Sequence, residues 1–336
     1  MKFGLALSGQ HPPGDPQAER FREHLEQVRM ARAVGFESVW ASQHYLSAPF
    51  TYFQPIPTLA RVAAEADGMR LGTGCLLLPL HHPVDVAEQL ATLDVISRGR
   101  LVFGAGLGYR DVENAALGLD PRHRAGRLEE GLAVIERLWT GEPVTYEGAH
   151  FRLKDVRISM PPLQRPRPPI WLAANSDAGV KRAARLGDAW MMNPHTTLGT
   201  LQRQLELFRS LRRELGRPAA IETPLIKECY VAPETSTAVT EAATFLGPKY
   251  QAYQRWEQDK ALPAGESFDA SFTELARDRF LIGDPARVTE EIMRYEARLG
   301  VTTLFFRVQW PGLDQERVLR SIRLLGQKVL PRFSTR

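Results

Sequence analysis

Leu71-Gly72-Thr73-Gly74-Cys75-Leu76-Leu77-Leu78, then an apolar stretch at helical spacing over 84–96, then Leu101-Val102-Phe103-Gly104-Ala105, form the stretch that decides the fold. Two short apolar runs without polar alternation are what strands buried on both faces look like. Joined through a helix, they require parallel pairing and a right-handed crossover. The unit recurs in both directions. Apolar runs lie at 3–7, 38–41, 170–174, 189–192, 225–231 and 301–306. Amphipathic stretches follow at 17–34, 56–66, 126–139, 178–186, 198–215, 237–245 and 315–330, with another at 286–298. Eight strands each followed by a helix predict an α/β protein with a (β/α)8 TIM barrel, a single domain over residues 1–336. Two stretches break the rhythm. Residues 141–169 are Pro-rich with alternating polarity, a strand-bearing insertion, and 247–278 are polar and irregular. A doubly wound open sheet is the alternative, and the strand count favours the barrel.

Composition narrows the function. The chain has 336 residues, 43% hydrophobic, and its 43 Lys and Arg against 39 Asp and Glu leave a net charge of +4, too small and too scattered for a nucleic-acid surface. No apolar run approaches the ~20 residues that a membrane span needs. The opening Met1-Lys2-Phe3-Gly4 leads into an apolar segment shorter than the core of a signal peptide. Cys75 and Cys229 form neither a disulfide framework nor a zinc spacing, so a reduced, cytoplasmic compartment without a metal site is expected.

Chemistry in a barrel sits at the C-terminal ends of the strands. There the sequence offers Gln10 and His11, Gln43 to Tyr45, Gly74 and Cys75, Gly106 to Arg110, Asn175 and Ser176, Asn193 to His195, Glu228, and Arg307 to Trp310. His44 directly follows the second strand, where an imidazole suits proton transfer near neutral pH, or equally a loop histidine satisfied by backbone. Gly104-Ala105-Gly106-Leu107-Gly108 lacks the spacing of a dinucleotide fingerprint, yet leaves room for a flat ligand against the backbone. Ala174-Asn175-Ser176-Asp177 ends a strand and opens a helix. Its free N–H groups and the Ser176 hydroxyl suit a phosphate, and a plain N-cap equally explains them.

Taken together, these segments resemble the luciferase-like flavin-dependent monooxygenases, a (β/α)8 superfamily that includes F420-dependent reductases. The likeness is carried by Gly35-Phe36-Glu37-Ser38-Val39-Trp40 leading into Gln43-His44, and by Leu71-Gly72-Thr73-Gly74-Cys75 with His82-Pro83-Val84. Further along come Leu93-Asp94-x-x-Ser97-x-Gly99-Arg100 before Phe103-Gly104-x-Gly106, and Ile170-Trp171-Leu172-Ala173-Ala174-Asn175-Ser176 with Ala183-Ala184-x-x-Gly187-Asp188. Ile282-Gly283-Asp284-Pro285 and Gln309-Trp310-Pro311-Gly312 complete the series in order along nearly the whole chain.

The resemblance implies a monooxygenase in which reduced FMN binds in the barrel mouth and O₂ adds at its C4a carbon to form a peroxide that oxidises a small organic substrate. It implies His44 as the catalytic residue beside the flavin and a cis peptide at Gly74–Cys75 beneath the ring. Gly106, Tyr109 and Arg110 would complete that side of the flavin site, and Ala174, Asn175, Ser176 and Gly179 would hold its phosphate. Leu107 stands where bacterial luciferase has a phosphate-contacting arginine, so flavin exchanged with a separate reductase is expected, with Arg110 as a substitute contact. Phe50, Tyr52, Met192 and Trp310 are candidates for a substrate wall, Trp310 equally for a structural plug. Residues 247–278, with Tyr250, Tyr253 and Trp256, would close the site or anchor to the barrel. F420-dependent hydride transfer is the competing enzyme reading, with Arg110, Lys181, Arg182 and Arg307 as cations for the acidic tail of that cofactor. A non-catalytic partner subunit is the other alternative. The apolar breadth of 84–96 beside 56–66 suggests a homodimer through those helices.

Overall fold

A computed structural model describes residues 1–333, so the last three residues of the expected domain lie outside the described part. The strands are β1 (Lys2–Leu7), β2 (Ser38–Ala41), β3 (Arg70–Thr73), β4 (Leu76–Leu77), β5 (Leu101–Gly106), β6 (Val144–Glu147), β7 (Arg152–Val156), β8 (Ile170–Ala173), β9 (Ala189–Met191), β10 (Pro224–Val231), β11 (Leu281–Gly283) and β12 (Thr303–Arg307). Parallel pairing runs β10-β12-β1-β2-β3-β5-β8-β9. Met192 N donates to Pro224 O and Ile226 N to Met192 O, joining the end of β9 to β10 and closing the ring. The TIM barrel expected from the alternation is therefore present, with its eight strands at the expected places.

The helices are α1 (Gln17–Ala33), α2 (Pro55–Val62), α3 (Pro83–Ile96), α4 (Asp111–Ala116), α5 (Arg124–Leu138), α6 (Asp177–Leu186), α7 (Leu198–Glu214), α8 (Thr235–Arg255), α9 (Phe272–Ala276), α10 (Pro285–Leu299) and α11 (Gln315–Leu324). Three short elements escape sequence reading, α9 within the stretch expected to be irregular among them. α4 falls where loop was expected, and β11 adds a strand beside the outer half of β10. The long helix expected through 330 is α-helical only to Leu324 and continues as a wider turn over Leu325–Val329.

The barrel interior is filled by rings. Trp40 stacks on Phe305 at 4.2 Å between centroids and on Trp171 at 5.1 Å. An interior this crowded needs positions without side chains. A Cβ on Gly72 would fall 2.1 Å from the Trp40 ring, and one on Gly104 would fall 1.8 Å from Thr73 O. Thr73 Oγ1 in turn donates to Gly104 O and accepts from Gly104 N, fastening β3 to β5.

The first insertion carries the antiparallel hairpin β6–β7, as expected. Its Pro-rich return is tied down by buried Asp94, which accepts from Leu163 N at 2.8 Å, Gln164 N at 3.0 Å and Gln164 Nε2 at 2.7 Å. The broad apolar face of α3 packs on α2 and α5 inside the subunit. Trp139 of the α5 end donates its indole N–H to Ala87 O there. The second insertion differs from expectation. Gly247 and Pro248 look like a helix stop, yet α8 runs through them to Arg255, because Leu246, Lys249, Tyr250 and Tyr253 bury one face and packing overrides local propensity.

At the end of β1, His11 turns away from the barrel mouth onto α1. Its Nε2 lies 3.2 Å from His24 Nε2, and Gln309 Nε2 donates to its Nδ1. Burial lowers His11 to about 4 and His24 to about 3.

Two outcomes follow for stability. Gly72→Ala should cost at least the ~1–3 kcal/mol of an overpacked core, read as a lower urea midpoint at unchanged slope. The buried imidazoles resist protonation when folded but accept it below pH 6.5 when unfolded. Stability is therefore fully present above pH 6.5 and falls as pH drops toward 4 and then 3, by up to about 1.4 kcal/mol per pH unit for each ring. His24→Gln should flatten that slope in melting curves between pH 6.5 and 4.

Candidate functional site

The C-terminal ends of the strands enclose a cavity of about 1170 Å³, mouth included. Its floor is made by the turn between β3 and β4. The Gly74–Cys75 peptide there is cis, as the resemblance implies. A Cβ on Gly106 would come 2.3 Å from Cys75 Sγ, so only glycine leaves that thiol its seat. Gly74, Cys75, Gly106, Gly108, Ala173 and Ala174 together present a low shelf of the shape a flat ring system needs. Burial pushes the Cys75 thiol up to about 12, which keeps it protonated and unreactive.

His44 stands beside this shelf. Its Nδ1 is 3.0 Å from Glu113 Oε1, an oxygen that also accepts from Tyr45 N at 2.9 Å. Glu113 lies behind the wall on α4, its side chain 1% exposed, with Arg110 Nη1 3.5 Å away. A carboxylate on Nδ1 fixes the imidazole tautomer with its proton toward Glu113 and leaves Nε2 as the reactive nitrogen. Glu113 escapes sequence reading because it sits on a helix that the polar, short stretch 111–116 does not announce.

Beyond the shelf, α6 begins. Ser176 is its N-cap, Oγ accepting from Gly179 N at 3.2 Å. The N-cap role foreseen for it is therefore real, and the turn with Asn175, Ser176 and Gly179 also lines the cavity. Arg182, one turn on, lines it too and pairs with Glu129 at 2.8 Å. Gly179 is required by the local packing, since a Cβ would meet Ala174 Cβ at 2.8 Å.

The opposite wall is polar and buried. Tyr109 donates to Gln258 Oε1 at 3.2 Å; the Gln258 amide nitrogen donates to His195 Nε2 at 2.8 Å; His195 Nδ1 donates to Tyr250 Oη at 3.0 Å. Burial, then the charge of Arg307, Lys249 and Lys227, holds His195 well below its ordinary value, so it is neutral in this chain of bonds. Next to it Glu228, fully buried, accepts from Lys249 Nζ at 2.8 Å, Arg307 Nη1 at 2.9 Å and Trp310 Nε1 at 2.7 Å. Lys249 is lowered to about 7 by burial, against the pull of Glu228. Tyr52 bonds Ser42, and Tyr253 donates to Gln10 Oε1.

The structure thus brings His44, Gly74, Cys75, Gly106, Tyr109, Ala174, Asn175, Ser176, Gly179, Tyr52 and Met192 to one cavity. Three expected residues are elsewhere. Arg110 does not line the cavity: it donates to Tyr45 O and Leu46 O and stacks its guanidinium 4.4 Å over the Trp256 ring. Phe50 packs edge-on against Trp256 outside the cavity. Trp310 is a plug, since a buried indole N–H needs an acceptor and Glu228 supplies it. Of the cations proposed for an acidic tail, Arg182 and Arg307 line the cavity and Lys181 and Arg110 do not. Sequence reading left Gln258 unnamed and gave His195 no role; both belong to the wall.

The family model for luciferase-like monooxygenases matches residues 1–303. The chain is 26% identical to the oxygenase component of flavin-dependent trigonelline monooxygenase from Acinetobacter baylyi, over 99% of this chain and 96% of that one. It is 28% identical to an F420-dependent glucose-6-phosphate dehydrogenase from Microbacterium testaceum, over 100% of this chain and 98% of that one. The crystal structure of monooxygenase RslO1 from Streptomyces bottropensis superposes with a TM-score of 0.87 at 28% identity, covering 99% of this chain and all of that one.

Trp310→Phe should take one donor from buried Glu228 and cost about 1–3 kcal/mol in urea unfolding, with the cavity shape kept.

Proposed function

The chain belongs to the luciferase-like monooxygenase family of oxidoreductases, and from that premise we propose that it is an oxygenase component using reduced FMN, delivered by a separate flavin reductase, to oxidise a small organic substrate with O₂. The observation that carries the reading is the His44–Glu113 pair set beside a flat shelf at Gly74–Cys75 and Gly106. Reduced FMN, when bound, supplies the electrons that activate O₂. The shelf and the Asn175–Ser176–Gly179 turn fit its ring and its phosphate, the latter at a helix start where N–H groups favour anions.

Everything else is the work of the chain. Glu113 holds His44 with Nε2 free for a proton beside the shelf, and a carboxylate at Nδ1 stabilises the imidazolium that forms when Nε2 accepts one. Tyr253, Gln258 and Ala261 on the second insertion form one wall of the cavity. FMN is favoured over F420 by charge. Arg182, the cation lining the phosphate side, is already paired with Glu129, which leaves little there to hold an oligoglutamate tail.

Anaerobic titration with reduced FMN and with reduced F420 tests the cofactor. Reduced FMN should bind at least tenfold tighter, and the reverse order overturns the reading. With a reductase supplied, His44→Ala should lower substrate oxidation by about 10²–10⁴ with flavin affinity kept, and Glu113→Gln by less, with a displaced pH profile. Full turnover by His44→Ala removes its role.

A further inference from the structure

Within the oxygenase reading above, we infer that the cavity selects substrates bearing a carboxylate and that Arg307 holds that group. Among the described residues that line the cavity there is no Asp or Glu, and the two side chains of permanent charge are Arg182 and Arg307. Arg182 stands by the helix start given to the flavin phosphate. Arg307 ends β12, three strands away round the ring, and is assigned nothing there.

The charge around Arg307 is unbalanced. Its carboxylate partner, Glu228, is shared with Lys249 through one oxygen, Oε1, while Oε2 is taken by Trp310. Arg307, whose charge is permanent, and Lys249 converge on that one oxygen, in a wall where Lys249 and Glu228 are wholly buried and the Arg307 side chain is 11% exposed. A buried charge without compensation is costly, and an incoming anion removes that cost. Arg307 lines the cavity and binds Glu228 through Nη1, an end-on bond that engages one of its three guanidinium nitrogens. A guanidinium is a planar fork of donors, the group that engages a carboxylate with two parallel bonds.

One polar group of the lining is a donor lacking an acceptor. Asn193 lines the cavity with its amide nitrogen buried and unbonded, its oxygen already accepting from His195 N and Thr196 N. An ionised carboxylate is acceptor-only and matches such a surface, whereas a neutral amide brings donors of its own. Met192 and Ile226 in the same lining suit an apolar body.

Calorimetric titration of the FMN-loaded protein with matched pairs, benzoate against benzamide and hexanoate against hexanamide, tests this. Each acid should bind at least tenfold tighter than its amide. Arg307→Gln should bring the pair within twofold, and Arg307→Lys, which keeps a charge beside Glu228 but not the fork, should lose most of the preference. FMN affinity should stay within threefold in both variants. Acids and amides binding alike in the unaltered protein, or a preference that survives Arg307→Gln or Arg307→Lys, overturns the inference. Flavin binding is read separately: failure of the unaltered protein to bind FMN defeats the oxygenase reading, and the acid–amide comparison on unloaded protein still decides the carboxylate.

Discussion

The barrel is built around a tryptophan lying where a smaller side chain would be expected. Trp40 occupies the interior between Trp171 and Phe305, and its indole N–H is satisfied by Ser38 Oγ of its own strand. No conventional layer of branched side chains fits beside three stacked rings, so the facing positions are glycines, Gly4 and Gly72 against the indole itself and Gly104 against the backbone of β3. Loss of side chains at those points brings β3 and β5 close enough for Thr73 to bridge them through both backbone groups of Gly104. The aromatic layer therefore sets the height of the floor on which Gly74 and Cys75 rest, and through it the depth of the cavity.

Above that floor the acids are kept out of sight. Glu113 and Glu228 are both buried, and each acts on the cavity only through the side chain in front of it, His44 in one case and Arg307 in the other. The arrangement gives the two imidazoles of the site opposite surroundings. His44 has a carboxylate against one nitrogen, so a proton gained at the other meets a counter-charge. His195 is held neutral by burial first and then by the charges of Arg307, Lys249 and Lys227, and it passes hydrogen bonds between the insertion and the barrel.

Most of the barrel was legible because strands buried on both faces leave an unambiguous apolar record, and because an apolar run such as 301–306 cannot be covered by one helix alone. His44 and the Gly74–Cys75 turn were legible by position at strand ends. What escaped did so for physical reasons. Arg110 has the right charge at the right strand, but its guanidinium is taken by two carbonyls and an indole before it can face a ligand. Glu113 belongs to a helix of one and a half turns, too short to show a period. Trp310 offered wall and plug equally until the carboxylate of Glu228, distant in sequence by 82 residues, settled it. α8 ran past Gly247-Pro248 because four buried side chains outweigh one lost backbone bond.

That extension of α8 has a consequence for the cavity that a loop there would not. Lys249, Tyr250 and Tyr253 occupy successive inward positions of one continuous helix, so the cation against Glu228, the acceptor for His195 and the hydroxyl beside Gln10 are held at fixed spacing by the helix backbone. The short turn Gln258–Ala261 that follows then brings Gln258 between Tyr109 and His195, tying the insertion to two separate strand ends. Any movement that opened this wall would break those two bonds together and expose a neutral imidazole and a wholly buried ion pair to water. The wall is thus held in place by bonds from α8 and the turn after it to separate strand ends, and the position of that wall is what the sequence of α8 specifies.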